Sequence, residues 1–296
     1  MKWEGDRESG NVEDHRGGGG GGGGGGGFRI GGKGVGIGTI AIALVASLFF
    51  GVDPGTVIGM MGGGGGPAPQ VQQQTDPNAP QAEDRETRFV RTVLGYTEDA
   101  WTPIFAAQGS TYQAPKLVLF EGRIGTACGT GNAAAGPFYC PGDRKVYIDL
   151  SFFRLMQERF KVGGEFAQAY VIAHEVGHHV QTLVGVSDQV RKAQAQASET
   201  EGNALSVRLE LQADCFAGVW ANKTQQKEAF LEAGDIESAL ATASAIGDDA
   251  LQRQSRGTVV PDSFTHGSSA QRVRWFKRGF EKGDVQQCNT FEARQL

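Results

Sequence analysis

The stretch AYVIAHEVGHHVQTLVG, residues 169–185, sets His174 and His178 four residues apart with Glu175 between them, inside a run that is otherwise apolar. Its apolar spacing predicts a helix over about 165–184, ended by Gly185. Positions i and i+4 share one helix face, so the two imidazoles project side by side and can reach one metal ion. Glu175 is rotated off that face too far to ligate, yet it can reach a water beside the metal. His179 points about 100° away from His178 and reads as packing or as support for the ligands, and His15 reads as solvated.

Two readings compete for this pattern. Hydrogen-bonded core histidines are one; the H-E-x-x-H arrangement of zinc peptidases, with the glutamate as general base, is the other and the one the spacing favours. A catalytic zinc needs a third protein ligand, and a ligating imidazole needs an acceptor for its other nitrogen. The segment VRLELQADCFAGVW, residues 207–220, offers both: Glu210 and Asp214 lie four apart on a second helix of about 199–222, which Leu205, Leu209, Phe216 and Trp220 can bury. Glu210 is the expected third ligand and Asp214 the acceptor. On its own the pair would read as a solvated helix face.

HEVGH followed by Glu210 and Asp214 resembles the gluzincin peptidases, closest in motif to the M48-type membrane endopeptidases. The whole plan, with GPFYCP, VYID, HEVGHHVQ, ELQADCFAG and FTHGS, resembles a bacterial family of neutral zinc metallopeptidases. That resemblance implies a zincin-like α+β fold, Zn2+ as cofactor, and hydrolysis of protein or peptide substrates. It also implies supporting roles for His266 and Arg272, since a similarly spaced His and Arg follow the glutamate ligand in M48-type peptidases; we expect them to act late, on the developing charge. The other reading of that segment is a surface helix capped by Ser268, with Arg272 solvated. The competing class for the whole chain is a membrane-tethered binding or scaffold protein with a structural or vestigial zinc site. Glu175 weighs against it, because a structural site needs ligands but no base.

Upstream of residue 84 the composition changes. Residues 17–27 are eleven consecutive glycines, and 62–83 are rich in Gly, Pro and Gln, too polar and pliable to offset their ordering entropy by burial. Between them, GVGIGTIAIALVASLFFGV (34–52) is nineteen residues without a charge, long enough for one membrane-crossing helix. Arg16, Arg29 and Lys33 precede it and no Lys or Arg follows until Arg85, which predicts a cytoplasmic N-terminus and an exported C-terminal domain. The expected organisation is a disordered cytoplasmic tail (1–33), a transmembrane helix (34–52), a flexible linker (53–83) and a peptidase domain (84–296) at the inner membrane of a bacterium. Ala43, Ser47 and Gly51 form a small-residue face through which two spans could pair as a homodimer, although such residues are also ordinary in membrane helices. A net charge of −5 gives no electrostatic reason for nucleic acid as a partner.

Cys128, Cys140, Cys215 and Cys288 all fall in the part expected to be exported, where disulfides are the default. Their spacing favours Cys128 with Cys140, leaving Cys215 for Cys288. Short apolar runs at 116–120, 123–127, 136–140 and 145–149 predict one small antiparallel sheet. The remainder reads as helix: an opening one from Asp84, broken near Gly95 or at Pro103, and later ones near 235–254 and 268–282. Strands followed by helices argue for α+β. A strand near GRIGTACGT or GPFYC is the expected place for an extended peptide to pair.

Overall fold

The computed structural model describes residues 1–16, 84–133 and 136–296. Its first helix, α1 (Arg85–Ala107), starts where the Asp84 carboxylate accepts a hydrogen bond from the Thr87 amide at 2.6 Å, satisfying one of the donors a helix start leaves open. It runs unbroken through Gly95 and Pro103, contrary to expectation, because its apolar stripe of Phe89, Val93, Tyr96, Trp101 and Phe105 is buried along its whole length. The strands β2 (Lys116–Leu119), β3 (Arg123–Thr126), β5 (Phe138–Cys140) and β6 (Lys145–Ile148) fall in the four expected runs, with β4 (Gly129–Asn132) added as the partner of β3.

The sheet differs from the antiparallel one expected. Its order is β1 (Val12–Asp14)-β2-β6-β5, with β1/β2 and β2/β6 parallel and only β5/β6 antiparallel; β3 and β4 form a separate antiparallel pair. The extra strand, β1 (Val12–Asp14), comes from the segment expected to be a disordered tail. Residues 1–16 pack on the domain instead, with Trp3 at 3% exposure, so the disorder expected for 1–33 fails over this stretch. Composition hid this: the segment is polar, and besides Trp3 and the strand ladder it is held by side-chain pairs such as Arg7 with Glu98 and Asp99.

Helices follow the sheet: α2 (Ser151–Phe160), α3 (Glu165–Leu183), α4 (Val186–Gln194), α5 (Glu199–Glu228), α6 (Asp235–Ala245), α7 (Asp248–Arg256) and α8 (Ser269–Lys282). Both α5 and α8 begin with capping boxes, Ser198 with Glu201 and Ser268 with Gln271. The single helix expected over 235–254 is two, because at the break the Ile246 carbonyl accepts from Arg272 and the Asp248 amide donates to Gly267 O. The main core cluster is centred on α3, which packs on α1, α5, α6 and strands β5 and β6, while α8 closes over α5; a smaller cluster gathers Val118, Phe120, Cys140 and Tyr147. Trp101, Trp220, Trp275, Tyr170 and Phe166 are the main cluster's largest buried members.

The disulfides pair Cys128 with Cys140, tying the β3–β4 hairpin to β5, and Cys215 with Cys288, tying the C-terminal segment to α5. Among the described residues no helix is long and apolar enough to cross a membrane. The run 34–52, its small-residue face and the linker 53–83 lie outside the described residues.

Candidate metal centre

Helices α3 and α5 meet at Gly177, between the two histidines of the H-E-x-x-H stretch. A Cβ there would sit 3.1 Å from the Cα and carbonyl oxygen of Ala213, so glycine permits the two backbones their close approach. That contact brings the histidine face of one helix onto the acidic face of the other. His174 Nε2 lies 3.1 Å from Glu210 Oε2, and His178 Nε2 lies 3.5 Å from Glu210 Oε1. The ligand atoms of His174, His178 and Glu210 all lie within 4.8 Å of one another.

The opposite ring nitrogens are held from behind. His174 Nδ1 donates to Asp214 Oδ1 at 2.9 Å, and His178 Nδ1 donates to the Gln181 side-chain oxygen at 2.9 Å. Anchoring each Nδ1–H turns each Nε2 toward the shared point, the nitrogen that a metal would take in exchange for its proton. Asp214, fully buried, also accepts from the Tyr170 hydroxyl at 2.5 Å and from Arg272 Nε and Nη2 at 2.9 and 3.0 Å. Gln181 is fixed in turn by donating to Leu209 O and to the Gln212 side chain. Two imidazoles and one carboxylate, with the His178 and Glu210 side chains 16% and 18% exposed, suit a tetrahedral zinc.

Electrostatics agree with the geometry. Burial works against a charged His174, but Asp214, aided by the hydrogen bond to Glu210, overrides it and carries the imidazole up to about 10. Burial works against the carboxylates too, yet His178 holds Glu210 well below its ordinary range and Arg272 holds Asp214 below its own. The acidic side chains thus focus negative potential on the two Nε2 atoms, an environment that suits a cation. Glu175, buried beside them, is raised by burial against the opposing pull of His178 and His174.

His266 and Arg272 are placed differently from each other. Arg272, at 3% exposure, is spent on Asp214, Tyr170 and the Ile246 carbonyl, so its guanidinium faces the support of His174 instead of solvent or a developing charge. His266 keeps its side chain 28% exposed and lies outside the group of His174, His178 and Glu210. Its loop is pinned by Asp248, whose Oδ2 accepts from the amides of Thr265, His266 and Gly267 at 2.8, 2.6 and 2.9 Å. His179 is buried away from the site; its Nε2 donates to Gln113 O at 2.6 Å and its Nδ1 accepts from the Tyr139 hydroxyl at 3.1 Å. His15 is exposed, as expected. Sequence reasoning missed Tyr170, Gln181 and Asp248. For the first two a signal existed, since Tyr170 precedes His174 by one turn and Gln181 follows His178 by three residues on α3; nothing local marks Asp248.

Comparison with known proteins places this sequence in a family. The family model described as "Putative neutral zinc metallopeptidase" matches residues 1–291, and the chain belongs to that family. It is similar to the uncharacterized protein YpfJ of Escherichia coli, 53% identical over 293 residues that cover 98% of this chain and 99% of that one. The uncharacterized proteins Mb2605 of Mycobacterium bovis and Rv2575 of Mycobacterium tuberculosis are each 44% identical over 223 residues, covering 71% of this chain and 73% of theirs. No solved structure matches.

Proposed function

We propose that this member of the zinc metallopeptidase family is an endopeptidase that hydrolyses peptide bonds with a water activated between Glu175 and a zinc ion held by His174, His178 and Glu210. The observation that carries the reading is the convergence of both Nε2 atoms on Glu210 while both Nδ1–H groups are anchored from behind. Zinc, when bound, supplies Lewis acidity that makes a water nucleophilic near neutral pH and polarises the scissile carbonyl. The remaining work falls to the chain. Glu175 takes the proton of the attacking water and later delivers it to the leaving amine, and its burial makes it a stronger base than a solvated glutamate. Asp214 and Gln181 keep the imidazoles in the ligating tautomer. Arg272 and Tyr170 hold Asp214. His266, partly exposed and steadied by Asp248, is the residue we assign to the developing oxyanion.

Strand β5 ends the sheet order and packs against α3, so it is the edge along which an extended peptide can align. The hydropathy of 34–52 supports a tether to the inner membrane of a bacterium. Two disulfides favour the oxidising side of that membrane for the catalytic domain. The test is digestion of casein or a peptide library by the purified protein, with chelator and with zinc restored. Cleavage that stops on chelation and returns with zinc is expected. Cleavage indifferent to chelator, or none with stoichiometric zinc bound, would replace this reading with a structural zinc site.

A further inference from the structure

The first sixteen residues and the domain that begins at residue 84 form one folded unit. Strand β1 pairs in parallel with β2 in the register Val12 to Leu117 and Asp14 to Leu119, and the ladder is extended by Leu117 N donating to Asn11 O and His15 N donating to Leu119 O. Trp3 is buried edge-on against Phe89, under the Arg85 guanidinium. Arg7 donates to the Gly95 carbonyl and to Asp99, both at 2.7 Å, and its own carbonyl lies so close to α1 that a Cβ on Gly95 would come within 2.8 Å of it. Glycine at that helix position is thus explained by the docked segment. The family match itself starts at residue 1.

The decisive contact is between the two ends of the intervening chain. Arg16 reaches Asp84 at 3.0 Å and donates to Thr87 Oγ1 at 2.5 Å. Residues 16 and 84 therefore lie at the same place on the domain. A single complete crossing by 34–52 would separate these two points by a hydrocarbon core of about 30 Å. A second crossing through the polar stretch 62–83 would bury unsatisfied backbone groups in lipid.

We infer that residues 1–16 and the domain 84–296 occupy the same side of the membrane, and that the apolar run 34–52 does not divide them. The basic flanks Arg16, Arg29 and Lys33 suggest the opposite for the N-terminus, but Arg16 is committed to Asp14, Asp84 and Thr87 within the fold and is not a free topological charge.

Labelling of the full chain in spheroplasts with a membrane-impermeant maleimide tests this. The native cysteines are all paired. Gly10→Cys offers an exposed site where a Cβ meets nothing within 4 Å, and Ala195→Cys offers an exposed one on the domain. Both sites should react in intact spheroplasts to the same extent. Reaction at residue 195 with protection of residue 10 until lysis, or the reverse, overturns the inference. Protection of both until lysis upholds the shared compartment while refuting the export assigned under the proposed function, so the two failures are told apart.

Discussion

Replacing Arg272 with methionine separates the role its sequence position suggests from the role its contacts give it. The guanidinium is 4% exposed at its side chain and makes two hydrogen bonds to Asp214, which has no exposure. Its removal leaves a buried carboxylate with only His174 and Tyr170 as partners. Breaking a buried pair by deleting one member typically costs about 3–5 kcal/mol, because the surviving charge stays desolvated. Asp214 then becomes a worse anchor for His174 Nδ1, and loss of such support lowers metal affinity by ~10–100-fold. The assays are denaturant unfolding of the metal-free protein and zinc competition with a chromophoric chelator. Arg272→Met should lose stability without zinc present and bind zinc more weakly. The pair Arg272→Met with Asp214→Asn should be far from additive, since the second change removes the charge the first one strands. A variant with normal stability and zinc affinity but reduced kcat would refute this and restore Arg272 as a donor to the transition state.

Other outcomes follow from the same geometry. Glu175→Gln should keep stoichiometric zinc and lose turnover, checked by metal analysis beside a cleavage assay, because the ligands remain and only the base is gone. His266→Ala should lower kcat and kcat/KM together by ~10²–10³ with zinc content unchanged, the signature of an interaction made in the transition state. An emptied site would make His266 a ligand. His179 is pushed down by burial to about 4. The unfolded chain therefore binds a proton that the folded one refuses between about pH 6.5 and 4, and stability present above that window is lost as pH falls through it, by roughly 3 kcal/mol. Urea unfolding from pH 4 to 7 measures this, and His179→Gln should remove that part of the slope.

The grouping of His174, His178 and Glu210 was legible because its signal is local. Four-residue spacings on two helices put His174 with His178, and Glu210 with Asp214, on shared faces whatever the rest of the fold does. The helix bounds near 165, 199 and 268 could be read for the same reason, from caps and apolar periods. What could not be read is set by contacts distant in sequence. The parallel order of the sheet depends on β1 arriving from residues 12–14, beyond a glycine tract that composition alone marks as a boundary. Arg272 on a capped helix of mixed polarity looks the same in sequence whether it faces solvent or Asp214, 58 residues away. Asp248 escaped because its partners are backbone amides of a loop, and any sequence supplies amides.

We propose above that His174, His178 and Glu210 hold a zinc ion that makes this protein a peptidase. Titrating zinc into the metal-depleted protein while following cleavage of a quenched peptide library tests it most directly. Activity should rise from background and saturate at one zinc per chain, and Glu210→Ala should neither saturate there nor cleave. Turnover that is full before zinc is added, or that stays at background with the site loaded, would contradict the account.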